Sequence, residues 1–185
     1  MDYKALAEIH HGKPVRKLRT DGAGEYTSNE FSHLLKQEGI EAQRTTPYTP
    51  QSNRTSEQAN RTIIGTTQAL LHAVNAPKEY WGETAMTAIY VRNWLPTKAI
   101  AGGETPYEQW FGRKPSYRNL RVWGCLAYVQ IPKDTCKKLD KTARKCMFVG
   151  YTCTAQQYRL YDWVERRFLL SRDVVFEEST SYYRL

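Results

Sequence analysis

The feature that most constrains the fold is a change of hydrophobic pattern along the chain. In the first part, apolar residues recur at helical spacing, as Ile63, Leu70 and Leu71 do. From about Leu120 onward the pattern becomes a series of short β-type runs: L-R-V-W-G-C-L-A-Y-V, K-C-M-F-V-G-Y, Y-R-L-Y-D and R-F-L-L-S-R-D-V-V-F. Four or five closely spaced strands predict a small barrel or sandwich.

Helices and strands alternate in the part before these runs. The expected elements are a helix over 3–10, a strand over 15–20, a helix capped by Ser28 or Asn29 and ended by Gly39, a strand over 40–44, a long helix that starts with a capping box of Thr55 and Gln58, and a helix over 80–95. The sequence therefore predicts an α/β first domain, residues 1–112, and an all-β second domain, residues 113–185.

The positive charge of the chain is concentrated in its second part. The formal net charge is +8, yet residues 1–112 hold 12 Lys/Arg and 12 Asp/Glu, whereas residues 113–185 hold 15 and 7. A basic segment attached to a neutral one is typical of a protein that meets a polyanion. A basic surface that is merely solvated is the alternative.

Composition excludes several other classes of protein. The four cysteines contain no C-x-x-C pair and have no histidine among them, so we expect reduced, partly buried thiols and no structural zinc site. No apolar run approaches the roughly 20 residues of a membrane span, and no signal peptide is evident. We expect a soluble, intracellular protein without membrane contact.

Two acidic residues are candidates for metal chemistry. Asp21 directly follows a predicted strand, and Glu57 stands in the first turn of the long helix. Helical geometry puts Glu57 within about 20° of Ile64, and Leu71 continues that line, so the carboxylate is expected on the core-facing stripe. A divalent cation shared with Asp21 would offset the cost of that placement. Alternatively, Glu57 is an ordinary acid favoured by the helix dipole, and Asp21 an ordinary turn residue.

The strings that surround these acids are more specific than the acids themselves. L-R-T-D-G-A-G-E-Y-T-S-N-E-F and P-Y-T-P-Q-S-N-R-T-S-E-Q-A-N-R-T, with 35 residues between Asp21 and Glu57, resemble the integrase core of copia-type LTR retrotransposon Pol polyproteins. E-T-P-Y-E-Q-W-F-G-R-K-P and F-V-G-Y further along resemble the same polyproteins. The chain departs from the family pattern at Gly22, Ala23, Arg54 and Gln58.

The resemblance implies an α/β chain, an incomplete RNase H-like core followed by a small SH3-like barrel. Asp21 and Glu57 match the second and third catalytic acids and would hold Mg2+ or Mn2+. No residue matches the first catalytic Asp, which in the family lies several dozen residues earlier, so we expect no activity from this chain alone. DNA is the implied partner, both element ends and target DNA, together with a homo-oligomer or the remainder of the polyprotein. The intact integrase would be nuclear.

Three functions remain open from the sequence. The chain is a piece of a DNA strand transferase, a non-catalytic nucleic-acid-binding remnant, or an inert relic. In either of the first two functions, polar side chains near the acids would bind DNA phosphates. These candidates are Lys17, Arg19, Arg44, Asn60 and Arg61.

Overall fold

The computed structural model describes residues 2–20, 24–44, 54–131, 142–152, 157–181 and 183. Their contacts group the chain into two compact units, Met1–Asn60 and Arg61–Leu185. Each unit has its own secondary structure and is treated separately.

The first unit alternates helices with two short strands. In order, it contains α1 (Asp2–His11), β1 (Lys17–Thr20), α2 (Asn29–Gln37) and β2 (Glu41–Arg44). The strands pair in parallel, with Lys17 opposite Glu41 and Thr20 opposite Arg44. The predicted cap of α2 is confirmed, because the Ser28 hydroxyl accepts a hydrogen bond of 3.2 Å from the Phe31 N–H.

Helix α3 spans Arg54–Val74. The helix begins one residue before Thr55, and the predicted capping box of Thr55 and Gln58 stays a prediction, because the side chain of Thr55 lies outside the described part of the chain. Helix ends depend on local hydrogen bonds that a capping pattern locates only to within a residue or two.

Only part of the predicted core-facing stripe of α3 is buried. Thr67, Leu71 and Val74 are at most 9% exposed, whereas Ile64 is 57% exposed and Glu57 lies in solvent. The predicted line through Glu57, Ile64 and Leu71 is therefore wrong at its first two positions. Helical spacing determines which residues share a face, but burial depends on what packs against that face. Among the described residues, that packing reaches only the C-terminal half of α3.

The second unit continues with two helices before its strands. Helix α4 (Trp81–Trp94) agrees with the predicted helix over 80–95, and α5 (Pro106–Phe111) follows. The Thr105 hydroxyl caps α5 by accepting a hydrogen bond of 3.0 Å from the Glu108 N–H. Gly112 ends α5 in the left-handed region at φ 66°, a conformation that favours glycine. Among the described residues, no helix has the length and apolar character needed to cross a membrane.

Five antiparallel strands complete the second unit. They are β3 (Cys125–Gln130), β4 (Ala143–Tyr151), β5 (Tyr158–Asp162), β6 (Arg167–Ser171) and β7 (Val174–Ser181), in the sheet order β6-β5-β4-β3-β7. This confirms the predicted α/β class with a small all-β part. The last predicted run is two strands, because Arg172 and Asp173 interrupt it.

Alternating residues of the strands form one core. Cys125, Ala127, Cys146, Phe148 and Leu160 are at most 1% exposed and pack together on the inner face. Alternation puts their sequence neighbours on the outer face. The sheet therefore has a filled interior and a second face available for helices.

Helices α3 and α4 cover part of that outer face. Leu71 and Val74 pack with Trp123, Met147 and Val149 in a second buried cluster. The Trp123 indole N–H donates to the Val149 carbonyl at 3.0 Å. This packing explains why residues 61–112 belong to the same compact unit as the strands. The predicted boundary between two domains at 112/113 stays a prediction. The compact units divide at a different position, between Asn60 and Arg61.

Candidate metal and nucleic-acid site

Glu57 lies where an incoming cation or substrate could reach it. The residue is exposed in the first turn of α3. The free backbone N–H groups of a helix start give this end a partial positive charge, which stabilises a carboxylate. The side chain is therefore an accessible anion, and not the inward-facing acid that helical spacing predicted.

Asp21 lies outside the described residues, so its pairing with Glu57 stays a prediction. The strand that leads to it is described: β1 ends at Thr20 and runs parallel to β2. Because parallel strands end at the same edge of a sheet, the carboxyl ends of β1 and β2 lie side by side. In the sequence, Asp21 is the residue directly after β1.

The three candidate cations on the described strand pair do not all lie on one face. Lys17 makes an ion pair of 3.3 Å with Glu41, and both side chains are more than half exposed. Arg19 is exposed on the same face of the strand pair as Lys17. Arg44 is also exposed, but alternation places it on the opposite face. The strand pair therefore offers Lys17 and Arg19 together and Arg44 separately.

Asn60 and Arg61 are better placed beside Glu57. They follow it by three and four residues in α3, which puts all three on one helical face. Both are exposed. This face combines an acid with an amide and a guanidinium. The acid can contact a metal ion, and the amide and the guanidinium can contact phosphate oxygens.

Two of the four cysteines are core residues of the second unit. Cys125 and Cys146 are free and buried, and burial raises their thiol pKa to about 12 and about 11 respectively. Cys136 and Cys153 lie outside the described residues. Within the described part of the chain, no group of three or more His, Cys, Asp or Glu side chains is arranged to hold a metal ion.

Comparison with known proteins agrees with the second unit's fold and extends over almost the whole chain. Residues 125–184 match the family model of the retroviral polymerase SH3-like domain. The retrovirus-related Pol polyprotein from transposon TNT 1-94 of Nicotiana tabacum is 40% identical over 177 residues, which is 96% of this chain. The chain belongs to the retrovirus-related Pol polyproteins. It spans only 13% of that relative's length.

A second relative of this Pol-family chain is also a Pol polyprotein, and a solved intasome chain is similar to it. The Pol polyprotein from transposon RE1 of Arabidopsis thaliana is 33% identical over 96% of this chain and 12% of its own length. A solved chain from the simian T-cell lymphotropic virus intasome in complex with PP2A regulatory subunit B56 gamma has a TM-score of 0.45 and 19% identity, covering 83% of this chain and 58% of that chain.

The second unit of the Pol-family chain contains arginines that sequence reasoning treated only as bulk charge. Arg144 contacts the buried Asp162 at 3.0 Å and Glu165 at 2.8 Å. Arg159 contacts Glu83 of α4 at 2.8 Å. Their partners lie 18 to 76 residues away in the chain. No local sequence pattern could have identified these pairs.

Proposed function

We propose that this Pol-family chain supplies Asp21 and Glu57 as two metal-binding carboxylates of an integrase centre that joins DNA strands. The observation that carries the proposal is the position of Glu57, accessible at the start of α3 and separated from Asp21 by 35 intervening residues. Asp21 in turn follows β1 directly. The relatives are Pol polyproteins, which supports this reading over an unrelated acidic pair.

The residues fit a hard divalent cation. Carboxylate oxygens are the ligands preferred by Mg2+ and Mn2+, and the exposed Glu57 can reach such an ion without burying an unpaired charge. When bound, the metal would polarise phosphate oxygens and activate the attacking hydroxyl. In this proposal Asp21 and Glu57 hold the ion, while Asn60 and Arg61 orient the phosphate backbone next to it.

Two carboxylates are fewer than the three that such a centre requires. The first acid of the set has no counterpart among these 185 residues. We propose that the 185-residue polypeptide by itself does not transfer DNA strands. The acid would come from elsewhere in the polyprotein.

The partners follow from the same proposal. They are DNA, as element ends and target, with a homo-oligomer or the rest of the polyprotein, and the site of action is the nucleus. A second candidate function is DNA binding without catalysis, favoured by the net charge of +8. That binding is expected to be independent of sequence and to weaken as salt rises, because it rests on phosphate contacts.

Binding of Mn2+ tests the metal proposal. Free Mn2+ is measured by electron paramagnetic resonance in titrations of the wild type, Asp21→Asn and Glu57→Gln. Each substitution should weaken binding at least severalfold, since one of two ligands is lost. Glu30→Gln is the matched control, because Glu30 is also an exposed acid in the first turn of a helix. Equal effects of Glu57→Gln and Glu30→Gln would reduce Glu57 to an ordinary helix-start acid and contradict the proposal.

A further inference from the structure

The segment between α5 and β3 concentrates cations without any acid. Residues 113–121, R-K-P-S-Y-R-N-L-R, form this basic connector and contain four Lys/Arg. No Asp or Glu occurs anywhere from 109 to 133. Such a run attracts a polyanion more strongly than interspersed charges of both signs do.

The backbone of the basic connector is fixed on the barrel. Pro115 is buried, and the Arg121 N–H donates to the Tyr151 hydroxyl at 2.8 Å. The Tyr158 hydroxyl donates to the Asn119 carbonyl at 3.4 Å. Tyr151 is itself stacked on Tyr90 of α4, with 4.1 Å between ring centroids. These contacts anchor the connector to strands and helix, so its cations project from a prearranged support.

Three of its cations are available to a ligand. Arg113, Lys114 and Arg118 are exposed, and among the described residues none of them has an ion-pair partner. The fourth, Arg121, lies 3.7 Å from Glu178 and above the ring of Phe176. The connector thus presents two guanidinium groups and one ammonium group to solvent.

Several arginines of the strands are engaged within the protein. Arg144 is held by Asp162 and Glu165. Arg167 shares Glu165 at 2.5 Å, and Arg159 is held by Glu83. The opposite charges within each pair neutralise each other, and the pairs stabilise the fold. Among the described residues, the connector therefore carries three cations that no such pair engages, Arg113, Lys114 and Arg118.

We propose that the basic connector binds the phosphate backbone of DNA, with the ring of Tyr117 as a stacking surface for an unpaired base. Tyr117 is 50% exposed and lies next to Arg118 in the chain. Exposed aromatic rings interleaved with cations bind single strands by stacking on bases while the cations contact phosphates. This inference rests on the DNA-binding part of the proposed function and specifies the surface that performs it.

Fluorescence anisotropy with short labelled DNA, single-stranded and duplex, tests this surface in the full chain. The connector variant Arg113→Gln, Lys114→Gln, Arg118→Gln removes three cations. The control Lys98→Gln, Arg166→Gln, Arg172→Gln removes three exposed cations elsewhere in the second unit. Circular dichroism melting confirms that both variants are folded.

Loss of three phosphate contacts should weaken binding roughly tenfold or more and lower the slope of log K against log salt by about three. The control should leave that slope nearly unchanged. Tyr117→Leu should weaken binding to the single strand and spare the duplex.

Three outcomes would overturn the inference. If the connector and control variants lose DNA affinity equally, the proposed DNA binding still stands, but the connector is not its site. Equally tight binding of poly-glutamate would show a general anion surface with no preference for DNA. Absence of DNA binding by the wild type at low salt would overturn both the inference and the proposed DNA binding, while the Mn2+ titration would still test the metal site.

Discussion

Arg159 of β5 holds Glu83 of α4 through two hydrogen bonds, Nε to Oε2 at 2.8 Å and Nη2 to Oε1 at 3.0 Å. The guanidinium also lies 4.4 Å above the ring centroid of Phe168. A planar guanidinium that binds both carboxylate oxygens fixes orientation as well as distance. The pair therefore ties the helix to the strands.

Breaking this pair should destabilise the second unit. Glu83→Gln is expected to lower the free energy of unfolding by roughly 1–2 kcal/mol, because the pair is half-buried and bidentate. Urea denaturation measures the change. Glu79→Gln, an exposed acid just before α4, should change stability little. A double-mutant cycle with Arg159→Met that gives no coupling energy would contradict the role assigned to the pair.

A close approach between α3 and the residue before β3 favours glycine at position 124. A Cβ at Gly124 would lie 2.8 Å from Val74 Cγ2, and its φ of +76° favours glycine. Gly124→Ala should therefore cost about 2 kcal/mol or more in the free energy of unfolding, through both strain and overpacking.

Gly65 provides the matched comparison. An added Cβ there meets nothing within 4 Å, and the residue lies inside α3. Gly65→Ala should stabilise the chain by about 0.5–1 kcal/mol because alanine favours helix. Thermal melting of both variants distinguishes the two sites, and equal effects would contradict the packing described.

Some of these features were accessible from the sequence because they are local. The Ser28 cap depends on a hydroxyl three residues before the N–H it accepts from, and a spacing rule finds it. The short β runs were also recognisable. The start of β3 was not, since the predicted strand began at Leu120, whereas Gly124 turns the backbone through a positive φ just before Cys125.

Long-range contacts could not be predicted in this way. The Glu83–Arg159 pair spans 76 residues, and it helps place α4 with the strands. The exposure of Glu57 and Ile64 likewise depends on which surface packs against α3, which helical periodicity does not encode. The prediction of Asp21 and Glu57 rests on their flanking strings and 35-residue spacing, because two carboxylates alone are too common to identify a site.

The buried thiols should resist alkylation over a wide pH range. Burial raises the pKa of Cys125 to about 12 and that of Cys146 to about 11, so both remain protonated in the folded chain. Iodoacetamide at pH 7 to 9 should leave both unmodified, as followed by peptide mass spectrometry, whereas the urea-unfolded chain should react. Rapid native labelling of either cysteine would contradict the packing of the core.

The same pKa shifts predict a loss of stability in alkali. A thiol whose pKa is raised on folding contributes stability that is complete below its ordinary value of 9.0 and is lost as pH rises from there toward 11 and 12. Urea midpoints measured from pH 8 to 10.5 should fall. The double variant Cys125→Ala, Cys146→Ala should show a smaller fall, and an unchanged pH dependence would exclude these thiols as its source.

The chain alone should not join DNA strands. With Mg2+ and labelled DNA ends, a gel assay for strand transfer should give no product, because the proposed centre would have only two of its three acids in these residues. Product formation that Asp21→Asn abolishes would contradict the predicted inactivity, although it would support the role of Asp21.

The most direct test of the central claim is to locate Mn2+ on the isotope-labelled chain by NMR. A paramagnetic ion broadens the amide signals nearest to it. We predict that substoichiometric Mn2+ broadens signals flanking both Asp21 and Glu57 together, and that either Asp21→Asn or Glu57→Gln removes the effect at both places. Broadening at Glu57 that persists unchanged in Asp21→Asn, or that is no stronger than at Glu30, would contradict a shared metal site.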